Sequence, residues 1–265
     1  MAPTGLRALA RVLQRQRPWW WRAFTRLVPA ARRWGWWVAP GNQVRWQAAA
    51  HGVEVTVQGT GHRLVVEPGA VLRNVVFDLA GEGHTVHIAA GCVLNQVYVR
   101  LRGQGHRLQL ARGVRFTRGG EIWMEDQGGS LLIGEGTTIV HARLSVIEGT
   151  RLRIGAGSLF AYDIEVRTGD SHSLLDARTG QRLNPAADVE VGARVWVGAR
   201  AMLLKGARIP DDSVVAAAAV VTKAFAEPGV VLGGHPARVL RRGVRWVPQR
   251  VPVGEPASDA ATEGA

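Results

Sequence analysis

The chain has 265 residues, 46% of them hydrophobic, enough to bury a sizeable core in one large domain or two small ones. A single cysteine, Cys92, excludes an internal disulfide and favours a reducing compartment. The net charge of +12 is concentrated at one end: residues 1–50 hold nine arginines and no acid, so the basic balance describes an N-terminal arm and not the body.

Residues 1–40 form that arm. Arg7, Arg11 and Arg15 fall on one helical face beside the apolar Leu6, Leu9, Ala10 and Leu13. Pro18 interrupts the pattern, and six of the ten tryptophans lie between residues 19 and 37. The composition predicts amphipathic helices, with three uses in view. Arginine and indole together suit the headgroup zone of a membrane surface. The same helices could cap a flank of the fold. Nucleic-acid binding ranks last, because there is charge but no recognised module, and no nucleic-acid partner is expected. No apolar run approaches the ~20 residues that span a bilayer, and no clean secretory signal is present. The location expected is cytoplasmic, with peripheral contact at the inner face of the membrane if the arm binds lipid.

Residues 41–116 repeat with a period of 22. Gly61-His62, Gly83-His84 and Gly105-His106 recur at that interval, followed by the alternating pairs Leu64/Val66, Val86/Ile88 and Leu108/Leu110. One coil of β-solenoid per repeat is the simplest reading. Stacked coils would align His62, His84 and His106 as a ladder about 4.8 Å apart. No carboxylate or cysteine accompanies them at a fixed offset, so the expected role is hydrogen bonding along the stack and not metal binding. Cys92 reads as a small buried residue.

Residues 117–227 carry a shorter beat. It starts at Ile133-Gly134 and returns at Ile154-Gly155. Its cleanest stretch places an aliphatic residue at Val191, Val197, Leu203, Ile209, Val215 and Val221. Period six is neither helical nor simple strand alternation; it belongs to hexapeptide β-helices. Between the two stretches, residues 167–190 break the rhythm with a polar segment, and such excursions in repeat proteins collect on a binding face. It contains Asp170-Ser171-His172-Ser173. His172 is the candidate general base, since imidazole titrates near neutral pH. Asp170, two residues earlier, either orients the imidazole or caps a turn. Ser171 and Ser173 point away from His172 in extended chain and are poor nucleophiles. On these residues alone a solvated loop histidine stays open as the alternative. Residues 228–250 read as a C-terminal cap of short helix or strand, and 251–265 as a disordered tail.

Residues 117–246 resemble the hexapeptide-repeat acyltransferases, and among them the O-acetyltransferases of bacterial capsule and surface polysaccharide. The resemblance rests on F-A-Y-D-I-E-V-R-T-G-D-S-H-S-L-L-D (160–176), T-G-Q-R-L-N-P-A (179–186), V-G-A-R-V-W-V-G (191–198), L-K-G (204–206), V-V-T-K (220–223) and G-G-H-P-A-R-V-L (233–240). It implies an all-β solenoid, a left-handed parallel β-helix, assembled as a homotrimer. Acetyl-CoA would lie in a groove between coils of neighbouring subunits. His172 would take the proton of a sugar or glycan hydroxyl, which attacks the thioester directly; no metal and no acyl-enzyme are implied. Trp196, Gly198, Ala216, Ala218, Lys223 and Arg238 match positions along the cofactor groove, although Ala216–Ala219 lacks the glycine and serine common there. Asp163, His141 and Glu148 are the expected acceptor contacts. The implied function is acyl-CoA-dependent O-acetylation of a sugar or surface polysaccharide precursor. The alternatives are an inactive β-helical scaffold and an N-acetyltransferase acting on an amino sugar or xenobiotic.

Overall fold

The computed structural model describes residues 35–254, and all regular elements among them are β-strands, from β1 (Trp36–Val38) to β27 (Ala237–Arg242). Up to β25 the strands enter three sheets in rotation, and each as far as β22 pairs in parallel with the strand three places later. Thus β2 (Gln43–Trp46) pairs with β5 (Arg63–Val66), and β5 with β8 (Thr85–Ile88). The sheets contain nine, eight and ten strands and enclose one core. This is the β-solenoid that the repeats predict.

The packing follows from alternation. Inward positions of neighbouring strands fall in register, so each sheet contributes columns of stacked apolar side chains. In the third sheet Leu72, Leu94, Phe116, Ile139, Phe160, Val197 and Val215 form one such column, all fully buried. Burial of each side chain of this size contributes about 1.5–3 kcal/mol. The hexad residues Val191 to Val221 are likewise inside, none more than 2% exposed.

Coil length changes along the axis. Val86 pairs with Leu108, Ile122 with Leu144 and Leu144 with Val166, all 22-residue steps. Beyond the loop, Val191 pairs with Ile209 and Leu203 with Val221, 18-residue steps. The change of pitch therefore falls at the loop and not near residue 117, where the sequence pattern changes. Much of the difference lies in the first sheet. There β7 (Val76–Glu82) and β10 (Val97–Gln104) have 7 and 8 residues, while β22 (Met202–Leu203) and β25 (Val220–Val221) have 2 each.

The histidine ladder forms as expected. The rings of His62, His84 and His106 stack at centroid distances of 4.7 and 5.0 Å. Each Nδ1 accepts a backbone N–H from the next coil: His84 N–H at 3.1 Å, His106 N–H at 3.3 Å and Gly129 N–H at 3.1 Å. Each Nε2 lies 2.7–3.1 Å from the carbonyl four residues earlier. Both nitrogens of every ring are thus used, which fixes the tautomer with the proton on Nε2. Burial lowers the pKa of His84 to about 4, reinforced by the neighbouring histidines and Arg102, and lowers that of His106.

The ends are closed differently. At the first coil Trp36 packs edge-on against Trp46 at 4.9 Å, and Trp46 against Phe77 at 6.0 Å. The helical arm expected over residues 1–40 lies outside the described residues up to 34. Its last part is not helical: Trp36–Val38 is β1, paired with β4 (Glu54–Thr60), because the first coil offers an open strand edge and an apolar end for Trp36 to cover. No described helix is long and apolar enough to cross a membrane. At the other end β26 (Val230–Gly234) and β27 form an antiparallel hairpin on the third sheet. The cap expected there is strand rather than helix. Of the expected disordered tail, residues 255–265 lie outside the described residues.

Candidate active site

The loop that interrupts the repeat leaves β19 (Ile164–Arg167) and returns at β20 (Val189–Val191), at the corner between the first and second sheets. Its ends are pinned together, Ala187 N–H donating to the Thr168 carbonyl at 2.8 Å. Buried Thr168 also accepts the Ile147 N–H on its Oγ1 at 3.1 Å. Gly169 fits where nothing larger would, since a Cβ there would come within 2.5 Å of Ile147 Cδ1. Farther out, Leu175 bridges Arg182 in antiparallel fashion. Asp176 Oδ1 closes the tip by accepting the N–H groups of Arg178 and Thr179 at 2.9 and 2.7 Å.

His172 stands exposed on this loop, directly after Ser171, whose φ of 64° is left-handed. A non-glycine residue in that region is strained and is kept there by its surroundings. The imidazole ring bonds to no described group. What is fixed is the backbone: Asn184 Nδ2 donates to the His172 carbonyl and to Asp170 Oδ2, both at 2.8 Å. Asn184 Oδ1 accepts the Leu174 N–H at 2.7 Å. One amide therefore clasps both sides of the histidine. Asp170 does not touch the imidazole, as an orienting carboxylate would. Its Oδ2 is engaged by Lys205 Nζ and by Asn184, and these bonds hold its pKa below the usual carboxylate value. Asp170 thus ties the loop to Lys205 and Asn184.

Glu148 joins the same corner, also as an anchor. One of its oxygens accepts from Arg182 and the other from the Ala186 N–H at 3.2 Å. Its pKa is lowered chiefly by Arg182, whose own is raised by the same bond. Asp126, Glu148 and Asp170 stand on successive coils here, and Asp126 Oδ2 accepts the Glu148 N–H at 2.9 Å. His172, Glu148, Asp126 and Arg182 line a cavity of about 280 Å³. A second trough of about 230 Å³ shares Glu125 and Ser171 with it and continues over the outer face of the first sheet, past Trp123, Arg143 and Arg167. Buried Glu165 holds both arginines there, accepting from Arg143 Nε at 2.7 Å and from Arg167 Nε.

Most of the remaining predicted residues do not gather around His172. His141, Asp163, Gly198, Ala216 and Ala218 lie at the corner between the third and first sheets, on the far edge of the first sheet. Asp163 and His141 thus share an edge with each other but not with Glu148, because each coil places residues before and after a first-sheet strand at opposite corners. Trp196 lies on the outer face of the third sheet, 41% exposed, its ring 6.2 Å from Trp246. Gly198 is held by coil stacking, since a Cβ would come within 2.6 Å of Ala217 N. Ala216 N–H donates to the Leu232 carbonyl at 2.8 Å, and Ala218 turns the corner with φ of 56°. Lys223 is exposed with Nζ 5.4 Å from the Phe225 ring, and Arg238 is exposed on β27. The small residues and the indole therefore lie away from the corner that carries the His172 loop of the same chain, whereas Lys223 follows the first-sheet strand β25 and stands at the loop's own corner, one coil beyond Lys205. Asn184, the clasp, was not singled out in the sequence; its only signal is the Asn-Pro step, which marks a turn.

A solved structure, that of the polySia-specific acetyltransferase NeuO, superposes on 82% of this chain and 93% of its own length, with a TM-score of 0.61 and 23% identity. This chain has the fold of the polysialic acid O-acetyltransferases. A second one, OatWY, matches 84% of the chain with a TM-score of 0.53 and 22% identity. In sequence the chain is 29% identical over 121 residues to the polysialic acid O-acetyltransferase of Escherichia coli O1:K1 / APEC, and 32% identical over 77 residues to that of Neisseria meningitidis. It is 29% identical over 133 residues to the galactoside O-acetyltransferase of E. coli K12, 47% of this chain and 63% of that protein. The resemblance to hexapeptide-repeat acetyltransferases thus extends over a larger part of the fold than of the sequence. The matches span 45% and 29% of this chain and only 39% and 36% of the two polysialic acid enzymes. No protein-family model matches the chain.

Proposed function

We propose that this protein is an acetyl-CoA-dependent O-acetyltransferase acting on a hydroxyl of a sugar or surface polysaccharide, with His172 as general base. The observation that carries the reading is the loop itself: a pinned, clasped excursion that presents one unbonded imidazole above a polar trough. The polysialic acid and galactoside acetyltransferases among its relatives support a saccharide acceptor.

In this mechanism the acceptor hydroxyl lies in the trough beside His172. The imidazole takes its proton as the oxygen attacks the acetyl carbonyl. The C–S bond then breaks, giving the acetyl ester and the thiol of CoA, with the imidazolium returning its proton to the sulfur. Acetyl-CoA brings the activated acyl group; the residues of the chain bind, orient and move the proton. Asp170, Lys205 and Asn184 hold the loop so that the ring points outward.

A second copy of the chain is part of the proposal. The small-residue groove with Trp196, Gly198 and Ala216 and the His172 loop occupy different corners, so one chain does not bring base and thioester together. Leu174, Leu175 and Leu183 on the loop are 54–61% exposed, an apolar surface suited to a neighbouring subunit. A homotrimer with a left-handed coil, as in the resembling family, would seat each loop on the next groove. Peripheral membrane contact through the arm, and a cytoplasmic location, belong to the same proposal.

The test is thiol release from acetyl-CoA in the presence of saccharide acceptors. The His172→Ala variant should lose about 10²–10⁴-fold in kcat, the usual contribution of a general base, with an unchanged circular dichroism spectrum. Equal rates in both proteins would remove the mechanism.

A further inference from the structure

A larger cavity, about 470 Å³, lies away from His172, at the corner between the third and first sheets. Three successive coils build it, each with a pair of adjacent residues: Arg73-Asn74, Asn95-Gln96 and Thr117-Arg118. The pairs repeat with the coil, so their polar groups are stacked about 4.8 Å apart. Asn74 and Gln96 turn the corner with φ of 53° and 55°, left-handed values that a glycine would adopt without strain. Tyr162 completes the wall. It is 53% exposed, and its ring lies 5.1 Å from that of His141, whose Nδ1 is buried without a hydrogen-bond partner.

The lining has a defined chemistry. It contains two guanidinium groups, three carboxamides, two hydroxyls and an aromatic face, and no carboxylate. Among the described residues Arg73 bonds only to the Asn95 side chain, at 3.5 Å, and Arg118 is exposed. On the neighbouring first sheet the arginines are matched to acids, as Arg102 is to Asp78 and Arg143 to Glu165. Among the described residues no acid pairs with Arg73 or Arg118, so the pocket has positive charge available for a ligand. Amides and hydroxyls at coil spacing suit sugar hydroxyls, and an open tyrosine ring suits the apolar face of a pyranose. Unmatched arginines suit a carboxylate or phosphate on the same unit.

We propose that this corner binds an anionic saccharide unit, separately from the His172 trough of the same chain, through Arg73, Arg118 and Tyr162. The inference rests on the proposed glycan acceptor only for its saccharide class. On an acceptor polymer, the pocket would hold one residue of the chain while another is acetylated.

Isothermal titration of the full chain tests it, because binding is read without any transfer. The probes are polysialic acid oligomers, neutral malto-oligosaccharides and inorganic phosphate. The anionic oligomers should bind more tightly than the neutral ones, and more weakly as salt rises. In the Arg73→Ala/Arg118→Ala double variant their Kd should rise about tenfold, the scale of one to two charge-assisted hydrogen bonds. Both arginines are exposed, so the double variant retains the core. Unchanged affinity in the double variant overturns the proposal. So does phosphate binding to the pair with no added affinity from the saccharide, or equal binding of neutral and anionic oligomers. Failure of acetyl transfer with binding intact would count against the enzymatic reading alone.

Discussion

Lys205 Nζ donates to Asp170 Oδ2 across 35 positions of sequence, tying the His172 loop to the following coil. Asp170 bonds to Lys205 and Asn184 and so fixes the backbone from which the imidazole projects. Lys205→Met should leave folding intact and reduce kcat by about 10–100-fold, as displacement of a reacting group by an ångström does. The binding of acetyl-CoA should change less, which steady-state kinetics would separate. The tether also has a pH sense. Asp170 titrates below its usual 3.8, so its contribution is present above that value and is lost as pH falls through the lower folded one. Hydrogen exchange of loop amides near residues 170–174 should accelerate only in strong acid; acceleration already at pH 6 would contradict the assignment.

Asn184 predicts a sharper effect. Its amide serves Asp170, the His172 carbonyl and the Leu174 N–H at once. Asn184→Ala removes all three bonds, whereas Asn184→Asp keeps the acceptor and loses both donors. Both variants should lower kcat by about tenfold or more with only a small change in melting temperature, since the loop lies outside the core. A large fall in Tm with normal kcat would assign Asn184 to the scaffold.

The histidine ladder makes the N-terminal coils sensitive to acid. His84 is fully buried and titrates at about 4 instead of its ordinary 6.5, because burial disfavours the cation. Between those values the unfolded chain binds more protons than the folded one. Stability from the neutral ring is complete above about pH 6.5 and declines as pH falls toward 4, by up to about 3 kcal/mol for His84. Denaturant titrations at pH 7.5 and 5 measure this. In His84→Gln the pH-dependent part should shrink, and a dependence as steep as in the parent would refute it.

Close coil stacking predicts that certain glycines tolerate no side chain. A Cβ at Gly155 would stand 2.4 Å from Ala193 N, and one at Gly198 2.6 Å from Ala217 N. Gly155→Ala and Gly198→Ala should each cost about 1–3 kcal/mol by overpacking. Gly155 is far from the proposed cofactor groove, so it gives the scaffold effect alone. Any additional loss in acetyl-CoA affinity for Gly198→Ala measures what Gly198 contributes to the groove.

Residue spacing determined a good deal. Aliphatic positions six apart and histidines 22 apart become buried columns because a stacked coil can bury only residues that return at the coil's own period. The break in the beat located the loop, and titration chemistry within it pointed to His172. Spacing could not place residues relative to one another across the coil. Glu148 and His141 are seven positions apart, yet a whole first-sheet strand separates them, so one meets the His172 loop and the other the opposite corner. Nor could it reveal the partner of Asp170, because Lys205 approaches only after the loop has closed and the next coil has been laid down. Periodicity is a local property and is written in the chain; the meeting of Asn184, Asp170 and Lys205 depends on the path of the returning chain, and only the tertiary structure decided it.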